Sequence, residues 1–208
     1  MPKSKKSDVS LYSPHPSIQY SRQVLAAMEK KTGKSYEEWI KVAQKSGLKA
    51  EEERRTWLKE EHGLGTNTAW WIAEMSFGKG RDAVDEDAYL KLAPGYVEAM
   101  YADRPNLLPI HDALIKLALS LGPDVKICPC QTIVPLYRNH VIAEIKPATR
   151  TRIDFGLALK DTKARGRLLD TGGFAKKDRI THRIPITCLK DIDVEVKRWL
   201  KIAYDMDA

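Results

Sequence analysis

This sequence predicts an α+β protein: an N-terminal four-helix module followed by an antiparallel β-sheet with two helices packed on one face. Three observations carry that expectation. Apolar residues recur at helical spacing through residues 17–80. A run of β-type segments joined by short turns fills 126–186. A strongly periodic helix stands before that run and another after it, an order that suits helices segregated to one side of an antiparallel sheet.

Taken in order, residues 1–16 carry Lys3, Lys5 and Lys6 among serines and prolines and read as a disordered basic tail. A small helical domain is expected over 17–80. Its first helix runs from Ser17 to about Lys31 with Ser21, Val24, Leu25 and Met28 on one face, and Thr32-Gly33 stops it. Ser35-Tyr-Glu-Glu38 has the form of a capping box opening a second helix, with Tyr36, Trp39, Ile40 and Ala43 at helical spacing. A third helix spans about Glu51 to His62, and Gly63-Leu-Gly65 breaks it before a fourth that begins near Thr66. Residues 81–106 hold 6 acids against 3 bases, with Pro94, Gly95 and Pro105 as breakers. They read as a linker with short helices at about 85–92 and 95–101. The α+β domain is expected over 107–208: a helix to Leu121, about five antiparallel strands, and a helix capped by Asp191 or Asp193 with Ile192, Val196, Trp199, Leu200 and Ala203 inward.

The charge of this 208-residue chain is not spread evenly. Residues 138–183 hold 12 Lys or Arg against 5 Asp or Glu, an excess equal to the whole net charge of +7. Such basicity permits anionic partners. No apolar run approaches the ~18 residues that cross a bilayer, and the N-terminus lacks the apolar core of a secretory signal. Three cysteines, an odd number, suit a reducing compartment, so a cytoplasmic location is expected.

Strand parity gives the first candidate site. In 151–159, Ile153, Phe155, Leu157 and Leu159 point one way and Arg152, Asp154 and Gly156 the other. In 179–186, Ile180, His182, Ile184 and Ile186 share the apolar side, against Arg179, Thr181 and Arg183. The ligand-binding candidates are therefore Tyr137, Arg138, Arg152, Asp154, Thr181, His182 and Arg183, because paired guanidiniums beside a tyrosine can grip a phosphate or carboxylate. The plainer reading makes Arg152, Asp154 and Arg183 a cross-strand ion-pair set and His182 a core histidine. The second candidate is the turn Gly63-Leu-Gly65, which resembles the second half of a helix-hairpin-helix, whose glycines let helix-terminal amides approach a nucleic-acid phosphate. Arg54, Arg55, Gly63, Gly65, Asn67 and Trp70 are its nucleic-acid candidates; the plainer reading is a tight turn with core tryptophans. Cys128-Pro-Cys130 faces one way on a strand, with only Cys188, His140 and His182 to complete a soft metal set, so two packed thiols are expected and neither a metal nor another cofactor. No nucleophile elbow, phosphate-binding loop, zinc-protease helix or dinucleotide fingerprint is present, and no catalytic residue is assigned.

Two stretches carry a resemblance. Thr32-Gly-Lys-Ser-Tyr-Glu-Glu-Trp39, with Trp57-Leu-Lys-Glu-Glu-His-Gly-Leu-Gly65 and Asn67, is similar to a small bacterial helical domain of unknown function. The segment from Tyr101 to Tyr204, through Cys128-Pro-Cys-Gln-Thr-Ile-Val-Pro-Leu-Tyr-Arg138, Arg152-Ile-Asp-Phe-Gly-Leu157 and Ile180-Thr-His-Arg-Ile184, resembles a second uncharacterised domain found in tandem with the first. It is also distantly like α+β proteins of the YdhG type, some of them proposed as frataxin-like iron chaperones. That role needs an acidic ridge of oxygen ligands, and this sheet is basic. The leading expectation is a non-enzymatic cytosolic protein that binds an anionic partner, nucleic acid or a phosphorylated ligand. The alternatives are a small-molecule-binding protein or enzyme with a pocket between sheet and helical module, and a protein-interaction adaptor using the tryptophan-rich helices.

Overall fold

The computed structural model describes residues 11–208; the expectation of disorder for 1–10 lies outside the described residues. Two compact units emerge, Pro14–Leu92 and a second made of residues 11–13 with Ala93–Ala208.

The first unit contains α1 (Ser17–Ala26), α2 (Met28–Thr32), α3 (Tyr36–Lys45), α4 (Glu51–Glu60) and α5 (Thr66–Ser76). The single helix expected over 17–31 is interrupted at Ala27, where no sequence signal marks a break. Gly33 ends α2 in the left-handed region at φ 74°, open to glycine at little cost. The capping box forms as read: Ser35 N–H donates to Glu38 Oε2 (2.8 Å) and Glu38 N–H to Ser35 Oγ (3.3 Å). Leu25, Met28, Trp39, Ala43, Leu58, Leu64, Ala69, Trp71, Ile72 and Ala73 close this core.

A 16-residue helix, α6 (Glu86–Tyr101), runs without a break through Pro94 and Gly95, the residues expected to separate two short helices. Burial overrides the breakers. Pro94 and Gly95 are both exposed, while Ala93, Val97, Met100 and Tyr101 lie inward at helical spacing.

The second unit builds one sheet from six strands: β1 (Lys126–Ile127), β2 (Val134–Tyr137), β3 (Val141–Pro147), β4 (Ile153–Leu157), β5 (Leu169–Asp170) and β6 (His182–Ile186). The spatial order is β1-β2-β3-β4-β6-β5, with every neighbouring pair antiparallel. The two strands beyond clear sequence signals, β1 and β5, are two-residue edges too short to show alternation. On one face Leu136, Ala143, Ile145, Phe155, Leu157, Ile184 and Ile186 pack against α7 (Leu108–Leu119) and α8 (Val194–Asp205), and the last turns of α6 add to the same core. Asp193 caps α8, accepting from the N–H groups of Glu195 and Val196. Residues 11–13, expected within the disordered tail, are held here: Ser13 N–H donates to Ile127 O (2.9 Å) and Tyr12 packs on the core.

A β-bulge corrects the parity upstream of β6. Thr181 donates its N–H to Leu157 O (3.1 Å), yet His182 is the register partner of Leu157, so two residues oppose one. The alternation expected for Ile180 to Arg183 therefore holds only from His182 onward. Thr181 is buried, and Ile180 lies on the opposite face, where a Cβ on Gly156 would come within 2.8 Å of it.

Candidate functional site

The outer sheet face brings Arg152, Asp154 and Arg183 together, as the register predicts, but as mutual partners. Asp154 sits between two guanidiniums. Arg152 Nε is 2.9 Å from Asp154 Oδ1, a charge contact rather than an aligned hydrogen bond, and Arg183 Nη1 donates to Asp154 Oδ2. Lys146, the register partner of Asp154, and Glu144 complete that face, and burial pushes the Glu144 carboxyl up from its ordinary value.

The remaining sheet candidates do not join them. Arg138 is bound elsewhere: its Nε donates to Asp124 (2.7 Å), Nη1 to Tyr204 O (3.1 Å), and its guanidinium lies over the Tyr204 ring. Tyr137 pairs with Lys126 and Val141 two strands away from β4, and burial first, then Cys128 and Cys130, pushes its phenol up to about 12. His182 is 1% exposed in the core, with Nδ1 2.9 Å from Thr181 Oγ1 and Nε2 unpartnered. Thr181 is 2% exposed, and its hydroxyl accepts from Leu159 N–H (3.1 Å). So the bulge removes Thr181 from the polar face, while His182 lies on the apolar side that parity gave it.

The helical-module candidates divide the same way. Arg54 is 8% exposed and engaged through Nε and Nη1, donating to Leu48 O, Ser76 O and Ser76 Oγ with its guanidinium 3.9 Å from the Phe77 ring centre. Those partners tie Arg54 to the interior of the helical module. Arg55 pairs with Glu52 across one helical turn at 3.7 Å. Gly63 (φ 64°) and Gly65 form the turn into α5, with Asn67 and Trp70 exposed beyond it, Trp70 engaged with Glu74. Along α4 and its C-cap Glu51, Glu52, Glu53, Glu60 and Glu61 outnumber Arg55 and Lys59, and an acidic excess is a poor surface for phosphate.

The paired thiols Cys128 and Cys130 are quiet. Cys128 is fully buried and pushed to about 12 by burial, and Cys130 is raised by the same cause, so neither is a ready thiolate. Among the described residues no three His, Cys, Asp or Glu side chains are placed to hold a metal ion.

What the sequence reading missed lies one strand turn away. Most arginines of the basic segment are engaged in ion pairs: Arg138 with Asp124, Arg150 with Asp103, Arg152 and Arg183 with Asp154, Arg167 with Asp193 and Glu195, Arg179 with Asp207. The cations of that segment with no ion pair among the described residues are Lys146, Lys160, Lys163, Arg165, Lys176 and Lys177, five of them in the 160–177 connection. A cleft of about 560 Å³ opens there. Lys160, Lys177 and Arg179 line it with Asp178, against an apolar wall of Ala158, Phe174, Ala175 and Met206, and buried Thr181 contributes to the lining.

The backbone of this cleft is unusual. Lys160 (φ 54°) and Lys177 (φ 60°) are the two non-glycine residues of left-handed conformation among the described residues, and both line it. Lys160 is the second residue of a turn closed by Thr162 N–H to Leu159 O, and Thr181 Oγ1 secures the Leu159 amide at its base. Lys177 closes a one-turn Schellman arrangement: Asp178 N–H donates to Gly173 O and Lys177 N–H to Phe174 O. Left-handed backbone at a non-glycine residue costs of order 1–2 kcal/mol, and such outliers cluster at ligand sites. Beside the cleft, Asp207 Oδ1 accepts from Arg179 Nη2 and from His140 Nδ1 (2.9 Å), while Asp207 Oδ2 takes the N–H groups of Asn139 and His140. Burial works against its ionisation, yet those donors hold the carboxyl below its ordinary value.

Comparison with known families fits this division. A family model described as a domain of unknown function, DUF5655, matches residues 97–207, more than half of the chain. The chain belongs to the DUF5655 family. A second model, the domain of unknown function DUF4287, matches 21–75, so two distinct domains stand in tandem, the cleft lying in the DUF5655 part. No curated protein and no solved structure matches the chain.

Proposed function

We propose that this DUF5655 protein is a binding protein for a phosphorylated ligand, held in the cleft of Lys160, Lys177 and Arg179. The observation that carries the reading is the pair of left-handed lysines. At both positions glycine would relax the backbone, and lysine there supplies only a charge toward the cleft. Arg179 adds a guanidinium held in place by Asp207 and by donation to Val141 O (2.9 Å). The excess of cations over acids in the lining draws an anion without any metal. The arginines of the open sheet face, with Asp154 already between them, offer less. Among the described residues, the cysteine and carboxylate geometry gives no support to the iron role suggested for some YdhG-type proteins.

The test exploits the backbone. Lys160→Gly and Lys177→Gly each remove a cation and relieve a left-handed residue, so the folded protein should keep or gain stability, by up to about 1 kcal/mol. Removing either ammonium, and the charge-assisted hydrogen bond it gives, should weaken binding of inorganic pyrophosphate about tenfold. Calorimetric titration of the wild type and the two variants, with urea midpoints alongside, decides it. Unchanged pyrophosphate affinity in both variants sinks the siting.

A further inference from the structure

We infer that the ligand of the cleft is a nucleotide unit, its phosphates on Lys160, Lys177 and Arg179 and its base stacked on Phe174; this rests on the anion-binding reading above. A plain inorganic anion has no use for one wall of the cleft, which is apolar and ends in Phe174, an aromatic ring left 56% exposed. Isolated exposed apolar residues are common, but this one is held at a fixed place. Its turn is closed by the bonds from Lys176, Lys177 and Asp178 back to Gly173 and Phe174. Gly173 abuts the strand so closely that a Cβ would lie 2.4 Å from Ile180 O, which leaves the turn no room to swing toward it. A rigid aromatic face beside a cationic patch is the arrangement on which bases stack while phosphates are neutralised.

Asp178 points to the same class. A carboxylate in the lining repels a bare anion, whereas the hydroxyls of a sugar and the amino group of a base are donors it can accept from. The volume, about 560 Å³, lies within the range of sites for ligands of nucleotide size. The same unit can arrive as a free nucleotide or as one link of a single strand.

Adenosine triphosphate and inorganic tripolyphosphate, nearly equal in charge and differing by the nucleoside, form the decisive pair, titrated calorimetrically into the full chain without metal. The nucleotide should bind about tenfold or more tighter than tripolyphosphate, the gain that one stacked base supplies. Phe174→Ala should erase that gap and leave tripolyphosphate affinity as it was; Phe174→Trp should restore it. Equal affinity for the two probes, or a Phe174→Ala loss shared by both, overturns the nucleotide inference and leaves anion binding standing. No binding of either probe overturns both. A ten-residue deoxyadenosine oligonucleotide and its abasic counterpart then separate the sources. An oligonucleotide bound tighter than the free nucleotide, with the same dependence on Phe174, assigns the site to single strands; the reverse order assigns it to free nucleotides.

Discussion

At the scale of single residues, the side chains that matter were visible as types and invisible as partners. Arg152, Asp154 and Arg183 could be placed on one face by alternation, because β4 and β6 pair in register. Lys160 and Lys177 could not be singled out, because nothing in a lysine announces a left-handed backbone. His111 shows the reverse case, a titratable group absorbed into the core. It is 2% exposed, with Nδ1 3.1 Å from Tyr101 Oη, and burial pushes its pKa down to about 4 against the opposing pull of Asp112. Since the unfolded chain takes up this proton at about 6.5, the folded state holds its full contribution above that pH and loses it as pH falls toward 4. The loss should reach about 2 kcal/mol by pH 5 and ~3 kcal/mol below pH 4. Urea midpoints at pH 7 and pH 5 should separate further for the wild type than for His111→Gln. Equal separations would mean that the buried imidazole is not the group that titrates.

At the scale of elements, local rules were right where they acted alone. The Ser35–Glu38 box, the Asp193 cap and the core face of β4 follow from propensity, capping chemistry and period two. They failed where packing outweighed them. The bulge at Thr181 depends on a pairing partner 24 residues earlier in sequence, Leu157, and no local signal carries it. Helix α6 ignores Pro94 and Gly95 because its inward residues on either side, Ala93 and Val97, find burial. If burial is what overrides these breakers, both are a cost the fold tolerates. Gly95→Ala, at an exposed site with no atom within 4 Å of the added Cβ, should stabilise by about 1 kcal/mol. Pro94→Ala, also exposed, should gain more, up to about 3 kcal/mol, by returning a donor to the helix ladder. Chemical denaturation of the two variants checks this. A fall in stability for either would show that the breaker itself shapes α6.

At the scale of the whole molecule, net charge was the clearest signal and the least exact guide to place. The +7 excess coincides with the 138–183 segment, yet its arginines are largely matched by carboxylates that lie elsewhere in sequence: Asp103, Asp124, Asp193, Glu195 and Asp207. Folding thus cancels the charge along the strands and leaves it in the 160–177 connection and the cleft. This distinction is measurable with a single-stranded oligonucleotide across a range of salt. Each phosphate neutralised on a single strand contributes about −0.7 to the slope of log affinity against log salt. If the whole excess drove binding through diffuse attraction, seven charges would give a slope of about −5. If binding is local to Lys160, Lys177 and Arg179, the slope should be about −2, and Lys160→Gly with Lys177→Gly together should reduce it to about −0.7. A steep slope that survives the double variant would move the interaction off the cleft and onto the surface at large, whatever the affinity.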